Sequence, residues 1–366
     1  MKLYIDGLFY KGSGIGRYYE SLVKELAKRN VKIYTCVPEE LKYDFEKDFH
    51  DVLSNIEPIF VDYRKFSPVG FVKQSYILKK LEGKVDLFFY PHFNLPFYIP
   101  KNTITTIHDL CPFTEYWDRS EFKRDFLRFF VKRAIKKSNS IITISNTVAS
   151  EIVEKFNIEE KKLKVIYEFI DDKFFNKNIP LKQILKDDYI LFVGNRKKHK
   201  NLSNLILAFN KIKDKVNVKL VIAGSKDKQK DDVDTLIEDL NLKKYIIEFI
   251  SPSDEEILSL YKYAKLFVFP SLFEGFGLPP LESLALDCPV ITSNIPVLKE
   301  ILGNEIACFD PYDVDDIENK IYKVLNDNDF RNHLLNLGRE RLKIFDKNKI
   351  IDEYLNLFQN IIGGNR

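Results

Sequence analysis

Residues 265–285 are KLFVFPSLFEGFGLPPLESLA, and this stretch decides the fold. The apolar run KLFVF is typical of a buried strand, and Pro279 and Pro280 stand where a first helical turn would begin. Proline suits a helix start because its missing N–H would have had no partner inside the helix. The stretch therefore predicts a strand, a glycine-bearing turn and a helix, as in the repeating unit of a parallel α/β sheet.

The start of that helix is predicted to be a site for an anion, because its backbone amides are bare from about Gly277 onward. Gly275 and Gly277 would let a diphosphate approach the backbone closely. Glu274 and Glu282 flank the site, with seven residues between them. Glu282 is expected in the first turn, accepting hydrogen bonds from ribose hydroxyls, and Glu274 is expected to face a sugar. The alternative is a tight turn whose glutamates are merely solvated.

The same alternation of apolar runs and amphipathic helical patterns extends along almost the whole chain. The candidate strands are KLYID, VKIYTCV, VDLFFYP, NTITTIHD and NSIITIS in the first half, and YILFVG, VKLVIAG, YIIEFI, KLFVFPS and CPVITSN in the second. The first predicted helix is Tyr18–Lys28. The fold class is therefore α/β, with two doubly wound, Rossmann-like parallel-sheet domains that face each other across a cleft. Ligands of such sheets bind at the carboxyl ends of the strands.

Each half opens with a strand, a glycine-containing turn and a helix, and the turns are Lys11–Gly16 and Gly194–Asn201. Glu168–Asp188 is rich in Lys, Asp and Asn and is broken by Pro180, so we predict a linker there. The predicted segments are an acceptor-side domain at 1–172, a nucleotide-sugar-binding domain at 173–345, and an amphipathic helix at 346–366 that crosses back to the first domain.

Composition indicates an ordinary globular protein of two domains, because the 366 residues are 45 % hydrophobic and 30 % charged. The net charge of +3 is too close to balance to favour a nucleic acid as the partner. The cysteines are far apart in sequence, which predicts free buried thiols in a reducing compartment. They are Cys36, Cys111, Cys288 and Cys308. The N-terminus has no unbroken apolar run, and no stretch reaches the roughly 18 apolar residues of a membrane span, so we expect a cytoplasmic protein.

FEGFGLPPLE resembles the two-glutamate signature of retaining glycosyltransferases of the GT-B fold, family 4 (glycosyl transferases group 1). The resemblance implies that Glu274 contacts the donor sugar and Glu282 the ribose. VGNRKKHKNLSNLILAF resembles the family's phosphate-binding turn, in which an Arg/Lys pair neutralises the diphosphate leaving group. The matching positions are Arg196 and Lys200. Lys200 aligns directly, whereas the family's arginine often stands one step earlier, at Asn195 in this chain.

The first half carries two further similarities to this family. KGSGIGRYYESL resembles the glycine loop that lies against the diphosphate and the acceptor, which implies contacts from Gly14 and Gly16. TTIHDLCPF resembles the segment whose histidine touches the transferred sugar, here His108. A histidine at the end of an apolar strand is about as often structural, so both roles stay open for it. The chain departs from the family at Tyr167–Asp171, where YEFID replaces the frequent PNGVD.

The resemblance implies retaining transfer of a hexose-type sugar from a nucleotide-diphosphate donor to a glycan or lipid-linked glycan in surface polysaccharide assembly. The turn variant VGNRKKHKN favours a mannose- or rhamnose-type sugar. The implied catalytic residues are His108, Glu274, Arg196 and Lys200. The implied donor-binding residues are Gly14, Gly16, Gly194, Arg196, Lys200, Glu274, Gly275, Phe276, Gly277, Leu278 and Glu282.

We expect no metal and no cofactor, because the fixed cations and the helix terminus would do the work that Mg²⁺ does in many diphosphate sites. No DxD appears in an obviously suitable turn, because Asp313 and Asp315 of DVD are predicted at the start of a late helix.

Residues 116–137, YWDRSEFKRDFLRFFVKRAIKK, form a basic, aromatic and amphipathic stretch. Its phenylalanines are predicted on one helical face: Phe122, Phe126, Phe129 and Phe130. Such a helix can lie on anionic lipid, which would put the protein at the inner face of the cell membrane. The favoured alternative is a surface helix whose phenylalanines pack on the sheet.

Other classes of protein fit less well. A nicotinamide-dependent oxidoreductase would explain KGSGIG after the first strand, with Glu39 as the ribose acid, but the glycines at positions 12, 14 and 16 do not form GxGxxG. A GT-B-fold epimerase would act on the sugar nucleotide without an acceptor. A phosphorylase would need a cofactor lysine site that the sequence does not show. A non-catalytic nucleotide-sugar binding protein is the other alternative, but intact Glu274, Glu282 and Lys200 argue against a degenerate enzyme.

Overall fold

The computed structural model describes residues 1–117, 119–176, 179–226, 231–304 and 307–364. Residue 118 in the basic aromatic stretch, residues 177 and 178 in the predicted linker, and residues 365 and 366 at the chain end lie outside the described residues. The chain forms two compact units. Unit 1 comprises Met1–Phe113, Arg119–Glu168 and Lys347–Arg366, and unit 2 comprises Thr114–Asp118 and Phe169–Asp346.

Unit 1 contains a sheet of seven parallel strands. These are β1 (Lys2–Ile5), β2 (Lys32–Pro38), β3 (Ile56–Val61), β4 (Leu87–Tyr90), β5 (Thr103–Ile107), β6 (Ser140–Thr143) and β7 (Leu163–Val165). Their order across the sheet is β3-β2-β1-β4-β5-β6-β7, so the direction of growth reverses between β1 and β4. The helices of unit 1 that precede Glu168 are α1 (Ser13–Lys28), α2 (Lys42–Asp48), α3 (Pro68–Leu81), α4 (Glu121–Lys137) and α5 (Asn146–Phe156).

Unit 2 contains a sheet of six parallel strands. These are β8 (Tyr189–Val193), β9 (Lys219–Gly224), β10 (Ile246–Ile250), β11 (Leu266–Phe269), β12 (Val290–Ser293) and β13 (Cys308–Phe309). The order is β10-β9-β8-β11-β12-β13, which reverses between β8 and β11. The helices are α6 (Leu202–Ile212), α7 (Asp232–Asp239), α8 (Asp254–Tyr263), α9 (Leu278–Ala285), α10 (Pro296–Leu302), α11 (Val314–Asn326) and α12 (Asn328–Leu342).

The last helix, α13 (Lys347–Gly363), belongs to unit 1. Its Tyr354 hydroxyl pairs with the Tyr18 hydroxyl of α1 at 2.7 Å, and its Phe358 ring lies 5.6 Å from the Phe89 ring of β4. The apolar face of this amphipathic helix therefore adds to the core of the first sheet.

All ten predicted strands are present, and three more strands are short or irregular in sequence. Every residue of β4, β5, β6, β11 and β12 is buried, as expected where both faces of a parallel sheet are covered. The unpredicted β3 contains Glu57 and Pro58 and lies at the sheet edge, where proline is tolerated. The other two, β7 and β13, have only three and two residues, too few for a recognisable pattern.

The first helix begins earlier than the pattern predicts. The expected start was Tyr18, but α1 begins at Ser13, so Gly14 and Gly16 lie in its first turn rather than in a loop. Gly12 is the N-cap, and its carbonyl accepts the Gly16 amide at 2.6 Å. Glycine weakens a helix interior but is tolerated at this end. At Gly16 a larger residue would be crowded, because a Cβ there would lie 2.7 Å from the Phe9 carbonyl oxygen.

The phenylalanines of α4 do not all pack on the sheet, so the favoured interpretation is wrong for two of them. Phe130 is buried, whereas Phe122 and Phe129 are exposed and Phe126 is partly exposed.

Within the described residues, no helix combines the length and the apolar character needed to cross a membrane. The four cysteines are free thiols as predicted; two of them, Cys36 and Cys288, are buried and the other two are half-buried.

Candidate active site

The turn between β11 and α9 has the predicted architecture. Gly277 is the N-cap of α9 and has φ +103°, a conformation that L residues other than glycine rarely adopt. A Cβ at Gly277 would also lie 2.8 Å from Leu298 Cδ2. Among the described residues no side chain caps the helix, and Leu278 is its first residue. The Leu278 amide therefore has no competing side-chain acceptor at the N-cap, whereas Pro279 and Pro280 have no N–H to offer an anion.

Lys200 and Glu274 meet at this turn although 74 residues separate them in sequence. Lys200 Nζ donates to Glu274 Oε1 at 2.6 Å, and both side chains are largely buried. The backbone brings the two turns together, because the Leu272 amide donates to the His199 carbonyl at 2.7 Å. The turns follow β11 and β8, the neighbouring strands at which the sheet order reverses. That reversal is the position where open α/β sheets bind ligands.

Glu282 lies deeper than expected. It is the fifth residue of α9, so it is in the second turn and not in the first, because the helix begins at Leu278. The residue is only 6 % exposed, and the Tyr261 hydroxyl of α8 donates to its Oε2 at 3.4 Å. Tyr261 is itself fully buried, so it fixes the orientation of the carboxylate.

Arg196 follows β8 like Lys200, but its guanidinium contacts three carboxylates. It lies 2.9 Å from Asp234, 3.3 Å from Asp231 and in direct contact with Glu248, and its side chain is 4 % exposed. Burial would raise the pKa of Asp234, but hydrogen bonds from Lys226, the Asp231 amide and Arg196 hold that pKa below its usual value. The structure therefore brings Lys200 to Glu274 and Arg196 to a separate acidic cluster on α7 and β10.

Two glycines at the strand ends allow the backbone of this region to pack closely. The Gly194 amide donates to the Ala223 carbonyl at 2.9 Å. The next residue, Gly224, has φ +147°, and a Cβ there would overlap the Gly194 carbonyl oxygen. Sequence reasoning singled out Gly194 but missed Gly224, although the run VKLVIAG ends on it.

The two other predicted members of the glutamate turn have different environments. Phe276 is buried, and its ring meets the Phe345 ring edge-on at 5.7 Å, so its side chain is part of the core. A contact from Phe276 to a donor would therefore come from its backbone. Gly275 is half-buried between Glu274 and Phe276.

His108 lies in unit 1, where both ring nitrogens have partners. Nε2 lies 2.8 Å from the Pro91 carbonyl, which can only accept, so Nε2 donates. Nδ1 lies 3.3 Å from Glu168 Oε1, and both side chains are 11 % exposed. The Tyr18 ring meets the imidazole edge-on at 4.7 Å. Glu168 is part of the YEFID departure, and sequence reasoning gave it no role.

The glycine region of unit 1 leaves space at one position. A Cβ on Gly14 would have nothing within 4 Å, whereas one on Gly16 would meet the Phe9 carbonyl. Among the described side chains, none forms a capping hydrogen bond at the start of α1. A ligand can therefore approach the start of α1 near Gly14.

A buried polar cluster that sequence reasoning missed lies at the order reversal of unit 1, after β1 and β4. Asp6 accepts from the Tyr4 hydroxyl at 3.2 Å and from Gln74 Nε2. Burial raises the pKa of the Asp6 carboxyl to about 7. Among the described residues, His92 Nδ1 and both polar atoms of the Asn94 side chain are buried with no hydrogen-bond partner. The polar residue directly after KLYI was the available signal for this cluster.

The carboxylates of Asp313 and Asp315 in DVD bind other groups of the protein. Asp313 caps α11 by accepting from the amides of Asp315 and Asp316 at 2.9 and 3.2 Å, and Asp315 pairs with Lys211. In the part of the chain that the structure describes, no group of three or more His, Cys, Asp or Glu residues is arranged to hold a metal ion.

Comparison with protein families gives two matches that together run from residue 12 to residue 341. The model described as Glycosyltransferase Family 4 matches residues 12–174, and the model described as Glycosyl transferases group 1 matches residues 174–341. The two matches meet within the predicted linker.

Two relatives illustrate the similarity in sequence. The chain is 32 % identical over 222 residues to the O-antigen chain mannosyltransferase RfbU of Salmonella typhimurium, covering 61 % of this chain and 60 % of that protein. It is 26 % identical over 383 residues to the O-antigen chain mannosyltransferase B of Escherichia coli, covering 96 % and 97 %. The match thus spans less than two thirds of the first relative and nearly all of the second.

Comparison with solved structures confirms the predicted GT-B fold. The structure matches sucrose-phosphate synthase from Thermosynechococcus elongatus with a TM-score of 0.78 over 100 % of both chains, at 18 % identity. At that identity the likeness is one of fold, and it covers both parallel-sheet units.

Proposed function

Because this chain belongs to the glycosyltransferase family that those two models describe, we propose that it transfers a hexose-type sugar from a nucleotide-diphosphate donor. The acceptor is a glycan or a lipid-linked glycan in the assembly of a surface polysaccharide. Mannose is the favoured sugar, because both relatives described above are named as O-antigen chain mannosyltransferases. The favoured sugar class agrees with the mannose- or rhamnose-type turn in the sequence.

The contact between Lys200 and Glu274 is the observation that carries this proposal. It brings a cation and a carboxylate to the order reversal of the second sheet, beside the uncapped start of α9. Cleavage of the anomeric C–O bond develops negative charge on the leaving diphosphate and positive charge on the sugar. Lys200 and the amides near Gly277 and Leu278 would stabilise the first charge, and fixed groups of this kind usually supply the largest catalytic term.

Glu274 has a different task in this scheme. When the diphosphate takes its place beside Lys200, the Glu274 carboxylate becomes free to accept hydrogen bonds from the sugar hydroxyls. Glu282, oriented by Tyr261, accepts from the ribose hydroxyls. His108 contacts the transferred sugar, and the backbone near Gly14 and Gly16 lies against the diphosphate and the acceptor.

Arg196 joins the diphosphate only if its guanidinium leaves the three carboxylates that hold it. The guanidinium contacts Asp231, Asp234 and Glu248, and a diphosphate is an anion that competes with these carboxylates. We retain Arg196 as a second cation for the leaving group on the strength of the family resemblance.

We further propose that the reaction needs no metal and retains the anomeric configuration, with the leaving phosphate acting as the base for attack on the same face. Lys200, the start of α9 and Arg196 once it leaves its carboxylates supply the positive field that Mg²⁺ would otherwise provide. Transfer should therefore proceed at its full rate in excess EDTA. Loss of activity on chelation, restored by Mg²⁺, would contradict this part of the proposal.

The reaction is proposed to take place at the cytoplasmic face of the cell membrane, where lipid-linked acceptors are available. Residues 116–137 are proposed to contact anionic lipid. Exposure of Phe122 and Phe129 supports this contact, because neither side chain is used in the core.

A screen of GDP-, UDP- and dTDP-linked sugars tests the function directly. We expect one donor to raise the melting temperature of the full chain, since a ligand that binds only the folded state stabilises it. Incubation of that donor with a membrane extract should then yield the free nucleoside diphosphate and a glycosylated product. Conversion to another sugar nucleotide without an acceptor would instead indicate an epimerase, and no stabilisation by any donor would contradict the proposal.

A further inference from the structure

Helix α4 exposes a row of phenylalanines beside its buried Phe130. Phe122 is 82 % exposed and Phe129 is 61 % exposed, with the partly exposed Phe126 between them. The spacing of four and then three residues places them along one face of the helix. A large aromatic side chain in water is costly, so two in a row on one face are unusual for a surface that only meets solvent.

Helix α3 carries a second row of the same kind, which the sequence pattern did not reveal. Val69, Val72 and Tyr76 are each at least 60 % exposed, and their spacing of three and then four residues also places them along one face. The opposite face of α3 is used in the core, because Phe71, Gln74 and Leu78 are buried.

Aromatic rings on the buried sides of α3 and α4 bring the two helices together. The Phe71 ring of α3 lies 5.2 Å from the Phe130 ring of α4 and 5.5 Å from the Phe97 ring. Phe97 is 62 % exposed, and the loop that carries it is held by Arg133, whose guanidinium donates to the carbonyls of Leu95, Pro96 and Phe97. The two helices are therefore neighbours, and Phe97 is presented on a fixed loop.

The charge on these helices is strongly biased. Helices α3 and α4 together contain ten Lys and Arg residues against two acidic residues, Glu121 and Asp125. The whole chain has a surplus of only three positive charges, so the remainder is net negative. Both acidic residues of α4 are paired with arginines of the same helix. Exposed lysines flank the apolar rows: Lys73, Lys79, Lys80, Lys123, Lys132, Lys136 and Lys137.

We propose that α3, α4 and Phe97 form one membrane-binding surface, called here the two-helix surface, whose partner is an anionic lipid bilayer. The exposed side chains of residues 69, 72, 76, 97, 122 and 129 enter the boundary between headgroups and acyl chains. The flanking lysines meet the lipid phosphates. Two contributions hold an interfacial helix on a membrane. Apolar side chains insert into the lipid, and anionic lipid attracts the basic residues.

This inference rests on the proposed function, because a lipid-linked acceptor makes membrane binding useful, and it extends the proposed contact beyond residues 116–137 to α3 and Phe97. Charge complementarity selects the partner. A second copy of this chain would bring two equally basic surfaces together, whereas an anionic bilayer offers the opposite charge.

Flotation of the full chain with lipid vesicles tests the two-helix surface. The probes are vesicles of phosphatidylcholine and vesicles that also contain phosphatidylglycerol. We expect binding to be at least about tenfold stronger on the anionic vesicles and to weaken at high salt. The double variants Val72→Ser/Tyr76→Ser on α3 and Phe122→Ser/Phe129→Ser on α4 should each reduce anionic binding at least about fivefold.

The matched control is Tyr43→Ser/Ile344→Ser, which removes two exposed apolar side chains elsewhere and should bind like the unaltered protein. All variants change exposed residues, so melting temperatures and transfer to a water-soluble acceptor should stay unchanged. Absence of flotation, equal binding to neutral vesicles, or full binding by the α3 variant would overturn the two-helix surface. So would a dimer in sedimentation that both variants abolish. None of these results would affect sugar transfer in solution, which tests the proposed function separately.

Discussion

Lys200 and Glu274 neutralise each other across 2.6 Å. Both side chains are largely withdrawn from water, so each charge needs the other as a partner. A diphosphate would supply a stronger negative partner for Lys200, and sugar hydroxyls can donate to Glu274. A nucleotide sugar can therefore replace the contacts of this pair without leaving an uncompensated charge.

Glu168 is expected to position His108. The carboxylate faces Nδ1 at 3.3 Å while Nε2 donates to Pro91, so together they fix the plane of the ring. We predict that Glu168→Gln lowers kcat by about tenfold and leaves the KM for the donor within about twofold, because orientation of a sugar contact is lost rather than donor binding. Steady-state kinetics with the preferred donor measures both constants.

The control for this change is Glu160→Gln, which alters an exposed glutamate nearby in sequence and should leave both constants unchanged. A normal kcat for Glu168→Gln would show that the contact with His108 does not position the ring for sugar transfer.

Sequence reasoning identified Lys200, Glu274 and Glu282 because each stands at a fixed offset in a recognisable turn. It gave no warning that Arg196 would be surrounded by carboxylates. Asp231, Asp234 and Glu248 lie 35 to 52 residues away along the chain, and only the folded sheet brings them to the guanidinium. The partnership of Glu168 with His108 was hidden for the same reason.

At the scale of elements, the start of α9 depends on one backbone conformation. Gly277 has φ +103°, a Cβ there would crowd Leu298 Cδ2 at 2.8 Å, and the Leu278 amide follows it at the start of the helix. The prolines after Leu278 allow the helix to begin there without losing hydrogen bonds. The anion site is therefore a property of the turn as a whole.

We predict that Gly277→Ala destabilises the protein by about 1–3 kcal/mol, from the strained φ and the crowded Cβ, and also weakens donor binding. Thermal unfolding and donor titration measure the two effects. Gly83→Ala is the matched control, because Gly83 also has positive φ, +74°, but a Cβ there would have nothing within 4 Å. It should cost stability without affecting the donor, and unaltered donor binding by Gly277→Ala would argue against the anion site.

The strands were predictable because a parallel sheet covered on both faces needs continuous apolar runs of four or more residues. Strand β3 was missed because Glu57 and Pro58 interrupt its run, which an edge position permits. The helix α1 was predicted too short because its first turn contains glycines, which in sequence indicate a loop. The exposed rows on α3 and α4 were not predictable, since exposure depends on what packs against each helix.

At the scale of the whole molecule, each unit places its polar residues at the reversal of its own strand order. In unit 2 this position holds Lys200 and Glu274, and in unit 1 it holds the buried Asp6 cluster. Open α/β sheets bind ligands at such positions. The buried Asp6 carboxyl lies at one of them, and burying a charged group costs folding free energy.

The Asp6 carboxyl should make stability depend on pH. Its pKa is raised by burial to about 7, whereas an unfolded aspartate titrates near its usual value of about 3.9, so the folded state binds the proton more tightly. The stability that this group contributes is fully present below about pH 4 and is lost as the pH rises to about 7. We predict that Asp6→Asn, which cannot ionise, gains stability relative to the unaltered chain between about pH 5 and pH 8.

Melting temperatures of the two proteins across that range measure the effect, because groups other than Asp6 contribute equally to both. A constant difference between the two melting temperatures would show that Asp6 is already ionised in the folded protein at low pH.

The central claim is that Lys200 and the start of α9 hold the diphosphate of a sugar nucleotide, and turnover of Lys200→Ala tests it most directly. The control is Lys198→Ala, which removes an exposed lysine from the same turn. We predict that Lys200→Ala loses at least about a hundredfold in kcat while remaining folded, and that Lys198→Ala stays close to the unaltered rate. Equal rates for the two variants would contradict the account.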